Sequence, residues 1–236
     1  MTAATVQPLL VAETFGPTVQ GEGPSCGQQA LFVRLSRCNL SCPACDTPYT
    51  WDTTRFDLRA ESTRRRADDV ASWVLSNSAR LVVVTGGEPL LQQEQLLPMV
   101  TRLAEHGRKV EVETNGTIAP SPALAEAVSA FNVSVKLAGF AADRDRNRRI
   151  NPSAINALAA SGKAVWKFVV STVDDLGEIA ELQHIYGLDP IWVMPEGTTS
   201  RVVIDRARRI ADEVITLGWN LTPRLHVLLW GDQRGR

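Results

Sequence analysis

The 236-residue chain has almost no net charge: 25 Lys and Arg stand against 26 Asp and Glu, for a formal charge of -1. That balance removes the electrostatic case for nucleic-acid or membrane-surface binding, because phosphate backbones and anionic headgroups attract basic surfaces. No apolar run approaches the roughly 20 residues that a helix needs to cross a bilayer, so no membrane span is expected. The first eight residues, Met1 to Pro8, lack a basic stretch followed by an apolar one. No secretory signal is therefore read, and the cytoplasm is the expected location. No internal repeat, low-complexity tract or domain boundary is visible. The 44% hydrophobic and 22% charged composition is that of a globular protein. Its length suits one substantial core, so residues 1–236 are expected to form a single domain. The charge-rich stretches Arg64–Arg66 and Arg144–Arg149 read as solvated surface.

Cysteine is scarce, but its placement is not random. Of four cysteines, Cys38, Cys42 and Cys45 are spaced Cys-x-x-x-Cys-x-x-Cys, directly after the apolar run Leu31–Leu35. Three thiolates so close in sequence can wrap one metal centre. Four would saturate a zinc ion or a four-iron cluster, whereas three leave one iron of a [4Fe-4S] cube open to an outside ligand. Two other readings stay open: a zinc ion completed by Cys26, Asp46 or a histidine, and a disulfide between two of the four cysteines. Clustered cysteines without an export signal favour a metal site in a reducing cytosol. Cys26, in the turn-like Gly23–Gly27, reads as a free thiol. The Asn-x-Ser/Thr triplets at Asn39, Asn132 and Asn220 are then chance matches.

Around the triad the chain alternates between two periodicities. Short β-rich runs occur at 31–35, 81–84, 109–112, 133–135, 165–170 and 191–194, and continuous β-branched runs point to strands buried on both faces. Between them, 67–75, 92–105, 121–128, 152–160, 173–186 and 199–217 carry apolar residues at helical spacing. Asp174, Asp175 and Ser153 are start signals, and Gly107, Gly162, Gly187 and Gly218 are stops. Six β-α units predict a parallel α/β sheet. They are too few for a closed eight-stranded barrel, so an open partial (β/α)6 barrel is expected. In such folds chemistry gathers at the carboxyl ends of the strands. The cysteine loop, Thr85-Gly86-Gly87-Glu88-Pro89, Glu113–Gly116, Lys136 and Pro195–Gly197 all fall there.

The cysteine spacing together with the Gly-Gly-Glu-Pro turn resembles the radical S-adenosylmethionine (SAM) superfamily. Further segments narrow the resemblance: Phe15–Gly23 before the cysteine strand, Arg34, Asp46-Thr47, and His226–Gly235 near the end. The combination is similar to the 7-carboxy-7-deazaguanine synthase family, over nearly the whole chain and most closely in 13–51, 85–89 and 224–235. The resemblance implies a radical SAM lyase that converts 6-carboxy-5,6,7,8-tetrahydropterin to 7-carboxy-7-deazaguanine with loss of ammonia. The product would feed queuosine or another 7-deazapurine.

The resemblance also implies a site. Cys38, Cys42 and Cys45 would hold the [4Fe-4S] cluster, and Thr47 a Mg2+ ion. Val19, Gln20, Gly21, Glu22, Arg34 and Thr85 would contact the pterin. Ala44, Cys45, Asp46, Gly87, Glu88, Ser134, Val135 and Lys136 would contact SAM. A planar guanidinium suits a substrate carboxylate. The amide of Gln20, the Gly21 backbone and Glu22 suit a flat amide and amino edge. The implied partners are a reductase such as flavodoxin or ferredoxin and a second copy of the chain. Two departures stand out: Ala44 occupies a usually aromatic place, and Val135 one that is often proline. His226 is expected on a C-terminal strand, within reach of the site or structural. Two competing functions are a glycyl-radical-activating enzyme, which would not need Gln20-Gly21-Glu22 or Thr47, and a zinc-dependent binding module.

Overall fold

The computed structural model describes residues 7–236; the reading of the first residues as lacking an export signal lies mostly outside them. The chain opens on strand β1 (Leu9–Val19), which leads into β2 (Gln29–Leu35), and β3 (Thr63–Arg65) follows the cysteine loop. From there strands and helices alternate: α1 (Ala67–Leu75), β4 (Leu81–Gly86), α2 (Gln93–Glu105), β5 (Lys109–Thr114), α3 (Pro122–Ala127) and β6 (Ala130–Val133). The series continues with α4 (Pro152–Ala160), β7 (Ala164–Val170), α5 (Asp175–Tyr186), β8 (Ile191–Pro195), α6 (Ser200–Thr216), β9 (Asn220–Leu221) and α7 (Leu225–Trp230).

All nine strands form one sheet in the order β3-β1-β2-β4-β5-β6-β7-β8-β9. Seven of them, β2 and β4 to β9, run parallel side by side, and the two-residue β9 only extends the edge after the first six. Those six are the expected β-α units. Among the described residues β3 and β9 are the two free edges, so the barrel is open.

Three strands were not expected. The longest, β1, hides its periodicity behind Gly16-Pro17. Its antiparallel register with β2 slips there, from Phe15 opposite Phe32 to Thr18 opposite Ala30. A proline has no N–H to give to the ladder, and a bulge absorbs it. Two further corrections concern the site. The fourth parallel strand ends at Val133, so Ser134–Lys136 form a loop beyond the sheet. The C-terminal segment carrying His226 is a helix, α7, and not a strand.

The period of two along each strand sorts the side chains. Leu31, Val33 and Leu35 of β2, Val82 and Val84 of β4, Val110 and Val112 of β5, and Trp166, Phe168 and Val170 of β7 join the large core under the helices. The alternate positions face the concave side. Ala30, Phe32, Leu81 and Val83 make a small apolar patch there with Phe15. Beyond it the concave face turns polar, with Glu111, Asn132 and Lys167 all buried. Lys109-Val110-Glu111-Val112-Glu113 therefore alternates, rather than being apolar on both faces.

Candidate active site at the carboxyl ends of the strands

A cavity of about 700 Å³ opens at the carboxyl ends of the parallel strands. Every residue expected to bind substrate, SAM or metal lines it, except Glu88. The loops after β2, β4, β5 and β6 thus converge as the barrel rule requires.

The cysteine loop is anchored where it leaves β2. Gly87 presses against it: a Cβ built on Gly87 would lie 2.0 Å from the Arg37 carbonyl oxygen. Gly87 N–H donates to Leu35 O at 3.1 Å and Glu88 N–H to Arg37 O at 2.8 Å. The glycine motif thus lets the β4 loop lie against the cysteine loop, where the sequence suggested a close approach to ligand. Glu88 takes no part in the cavity wall. It is 0% exposed, and its carboxylate accepts Leu90 N–H at 2.9 Å, Thr114 Oγ1–H at 2.8 Å and Asn115 N–H at 2.7 Å. Burial pushes its carboxyl up, against the pull of those hydrogen bonds. Its place is a brace between the β4 and β5 loops.

Burial pushes the Cys38 thiol up to about 12 and raises that of Cys42, so metal must displace protons here. Among the described residues no three His, Cys, Asp or Glu side chains are gathered tightly enough to hold a single metal ion. Tetrahedral zinc would draw its sulfurs to about 3.8 Å from one another. A cube instead takes one thiolate on each of three irons. The three thiolates line one cavity, and a three-thiolate set suits a cluster with one open iron. Cys26 is remote from that set. Its neighbour Ser25 bonds Glu111 and Lys109 in the first half of β5, about 10–16 Å along the strand from its carboxyl end. All four cysteines are free, so no disulfide forms.

The N-terminal segment forms the opposite wall. Gln20 is 2% exposed, and both ends of its amide are occupied: Nε2 donates to Glu113 at 3.3 Å and Oε1 accepts Glu22 N–H at 3.2 Å. The Gly21 carbonyl accepts Leu225 N–H at 2.8 Å. A Cβ on Gly21 would collide with His226 Nδ1 at 2.0 Å, so glycine is what lets α7 close over this segment. Val19 and Thr85 complete the wall.

Glu22 sits in a charge network that the sequence did not disclose. Lys167 Nζ donates to its carboxylate, and Lys167 also lies 3.6 Å from Glu113. Arg224 Nε reaches Glu22 at 3.3 Å, its Nη1 donates to Gly197 O at 2.8 Å, and its Nη2 pairs with Asp46. Burial alone would raise Glu22; Lys167 and Arg224 outweigh it and hold the carboxyl far below its usual range. Asp46, whose side chain is partly exposed, is also lowered, with Arg224 outweighing its desolvation. Burial keeps His226 neutral, so its 3.9 Å approach to Glu22 is no ion pair near pH 7. A lysine in the middle of the apolar Trp166-Lys167-Phe168 was the available signal, because a charge inside a buried strand needs partners.

Arg34 and Thr47 keep unspent groups. Arg34 Nε donates to Glu13 at 2.7 Å, and Glu13 also accepts Tyr49 O–H at 2.7 Å. Among the described residues the two terminal nitrogens of Arg34 have no hydrogen-bond partner. Thr47 precedes a turn of 3-10 helix, Pro48–Thr50, without capping it through its side chain. Its carbonyl accepts from Thr50, and its hydroxyl has only Cys45 Sγ nearby, at 3.7 Å. Lys136 Nζ donates to Ser134 Oγ at 2.9 Å on the far side of the cavity, and Val135 packs its buried side chain into the outer core. Ala44 is exposed.

This fold and triad define a single-cluster iron–sulfur protein, and residues 19–159 match the model of the 4Fe-4S single cluster domain family. The chain is 35% identical over 229 residues to the 7-carboxy-7-deazaguanine synthase of Pyrobaculum aerophilum, covering 96% of each. It is 37% identical over 234 residues to that of Halobacterium salinarum, covering 91% of this chain and 88% of the other. The crystal structure of QueE from Escherichia coli superposes with a TM-score of 0.69 at 26% identity, over 93% of this chain and 95% of that one. The chain belongs to the 7-carboxy-7-deazaguanine synthase family. Neither the glycyl-radical-activating nor the zinc-module reading finds support in these relatives.

Proposed function

We propose that this protein converts 6-carboxy-5,6,7,8-tetrahydropterin to 7-carboxy-7-deazaguanine with loss of ammonia. The observation that carries the reading is one cavity that brings together the cysteine triad, the free terminal nitrogens of Arg34 and the unspent hydroxyl of Thr47. When bound, the cluster and SAM supply a 5'-deoxyadenosyl radical that takes one hydrogen from the substrate, and Mg2+ supplies a Lewis acid for its carboxylate.

Arg34 presents its guanidinium edge to the substrate carboxylate, with Glu13 fixing the fork through Nε. Glu22, kept ionised by Lys167 and Arg224, accepts from the amide and amino edge of the pterin. Val19, Gln20, Gly21 and Thr85 shape that pocket. Gln20 acts through Glu113 and the Glu22 backbone, since its own amide is occupied. Ala44, Cys45, Asp46, Gly87 and the Ser134–Lys136 loop face the SAM side. Glu88 supports that side from behind, through Asn115. A flavodoxin or ferredoxin supplies the electron, two copies of the chain pair, and residues 1–236 act as one unit in the cytoplasm. Among the described residues no helix is long and apolar enough to cross a membrane.

Substrate deuterated at C6 tests the reaction. If SAM serves as a recycled cofactor, deuterium from C6 would appear in recovered SAM, with no net consumption of SAM. One 5'-deoxyadenosine released per product overturns this reading. Thr47→Val tests the metal role separately. It keeps the shape and removes the oxygen, and Mg2+ depends on oxygen ligands. Iron content and SAM binding stay at wild-type levels while turnover falls about tenfold or more and its Mg2+ response flattens. Wild-type turnover with an unchanged Mg2+ titration removes Thr47 from the mechanism.

A further inference from the structure

The arginine-rich stretch that reads as solvated surface in the sequence has a carboxylate that is fully buried. Asp145 is 1% exposed. Its Oδ2 accepts Ser41 N–H at 2.7 Å and Ser41 Oγ–H at 2.5 Å, and its Oδ1 accepts from Arg148 Nη2. Ser41 Oγ in turn accepts Arg144 Nε–H at 2.5 Å, and Arg148 Nη2 also donates to Asn39 O at 3.0 Å. Arg149 Nη1 donates to Lys136 O at 2.9 Å. One short segment thus grips the cysteine loop at Asn39 and Ser41 and the facing loop at Lys136.

The grip matters because of what else holds that loop. Residues 38–44 belong to no helix or strand. Among the described residues no backbone-to-backbone hydrogen bond reaches them from another part of the chain. On one side the Asn39 side chain bonds Asn115 at 2.9 Å and Thr117 at 2.7 Å. On the other side stands Asp145. Ser41 lies between Cys38 and Cys42 in the chain, so fixing its backbone N–H and hydroxyl fixes the path that joins two ligands.

We propose that residues 141–149 are a clamp on the cluster-binding loop and that Asp145 is its positioning residue, anchoring Ser41 so that Cys38 and Cys42 are held at cluster spacing. The clamp rests on the cluster reading above. It acts in two ways. It reduces the entropy that the loop must lose when iron binds, and it places a buried negative charge beside the cluster against the charges of Arg144 and Arg148. Hydrogen bonding, burial and nearby charge set both the affinity and the potential of such centres.

The test uses anaerobically reconstituted full-length protein and a ferrous chelator. Asp145→Asn keeps the shape and removes the charge. It releases iron about 10- to 100-fold faster than wild type, the range for loss of an outer partner of a metal ligand. Its cluster midpoint shifts to more positive potential, because Arg144 and Arg148 are left uncompensated, and the EPR line shape of the reduced cluster changes. A residue that only stabilised the fold would lower the thermal midpoint without moving the potential. Ser41→Ala, which keeps Asp145 and Arg148 in place, releases iron several-fold faster than wild type and decides the matter if Asp145→Asn does not fold. Wild-type release rates and potential in the folded variants overturn the clamp. A wild-type protein that takes up no iron overturns the cluster reading itself.

Discussion

Cys42→Ala yields a protein that binds almost no iron after anaerobic reconstitution and lacks the cluster's visible absorbance, and Cys38→Ala and Cys45→Ala do the same. Cys26→Ala keeps the full cluster. The contrast follows from position. Cys38, Cys42 and Cys45 line one cavity at the carboxyl ends of the strands. Cys26 follows Ser25, which bonds Lys109 and Glu111 in the first half of β5. Each thiolate serves its own iron in a three-cysteine site, so loss of one removes a corner that no neighbouring donor can replace. Iron content and charge-transfer absorbance measure the outcome. If Cys26→Ala loses the cluster as completely as Cys42→Ala, the site has four protein ligands and no iron is open for SAM.

Lys167→Met costs about 3–5 kcal/mol of stability, the usual range for breaking a buried ion pair and leaving its partner uncompensated. Lys167 is 4% exposed and lies between Glu22 and Glu113. Without its ammonium two carboxylates face each other on the concave side, and only Arg224 still answers Glu22. The pH dependence has a definite sign. In the wild type the Lys167 pKa is raised, since the pull of Glu22 and Glu113 exceeds the cost of burial. Its stabilisation is therefore complete below the unfolded lysine value, about 10.4, and is lost above it. Glu22 is lowered, so its contribution is present above about 4.3 and is lost as the pH falls. Between those values the wild type has both. In Lys167→Met, protonating one carboxylate relieves the repulsion, so the deficit in thermal midpoint against wild type shrinks as the pH drops from 7 towards about 5. Melts across that range check it. A constant deficit means that carboxylate repulsion is not its source, and no deficit means that the network carries no net stabilisation. On the role proposed for Glu22, pterin binding weakens in parallel, because Glu22 loses the partner that keeps it charged and aimed.

The parallel core of the fold was legible because its cues are local. Leu81–Val84 and Val165–Val170 announce buried strands by composition, and Gln93–Glu105 announces a helix by spacing. Strand β1 was not legible, because Gly16-Pro17 breaks the alternation that betrays a strand and only pairing with β2 restores it. Neither was α7: Leu225–Trp230 is apolar and six residues long, a length at which helix and strand patterns cannot be told apart. Glu88 shows a different limit. Its place in a glycine motif suggested a ligand contact, yet three donors from the β4 and β5 loops turn its carboxylate inward.

The sequence by itself determined the chemistry that depends on residue type and short spacing: three thiolates within eight residues, a glycine turn after a buried strand, and six β-α units that place both at one end of a sheet. These are local because the chain's own geometry limits what three closely spaced cysteines can wrap. Only the tertiary structure decided which charges meet. Lys167 and Glu22 are 145 residues apart, Arg224 and Asp46 178, and Asp145 and Ser41 104. Nothing in the spacing of such residues encodes their partnership. It arises when the sheet curls and removes water from its concave face, so that each buried charge must find a partner from whatever strand or loop the fold has brought beside it.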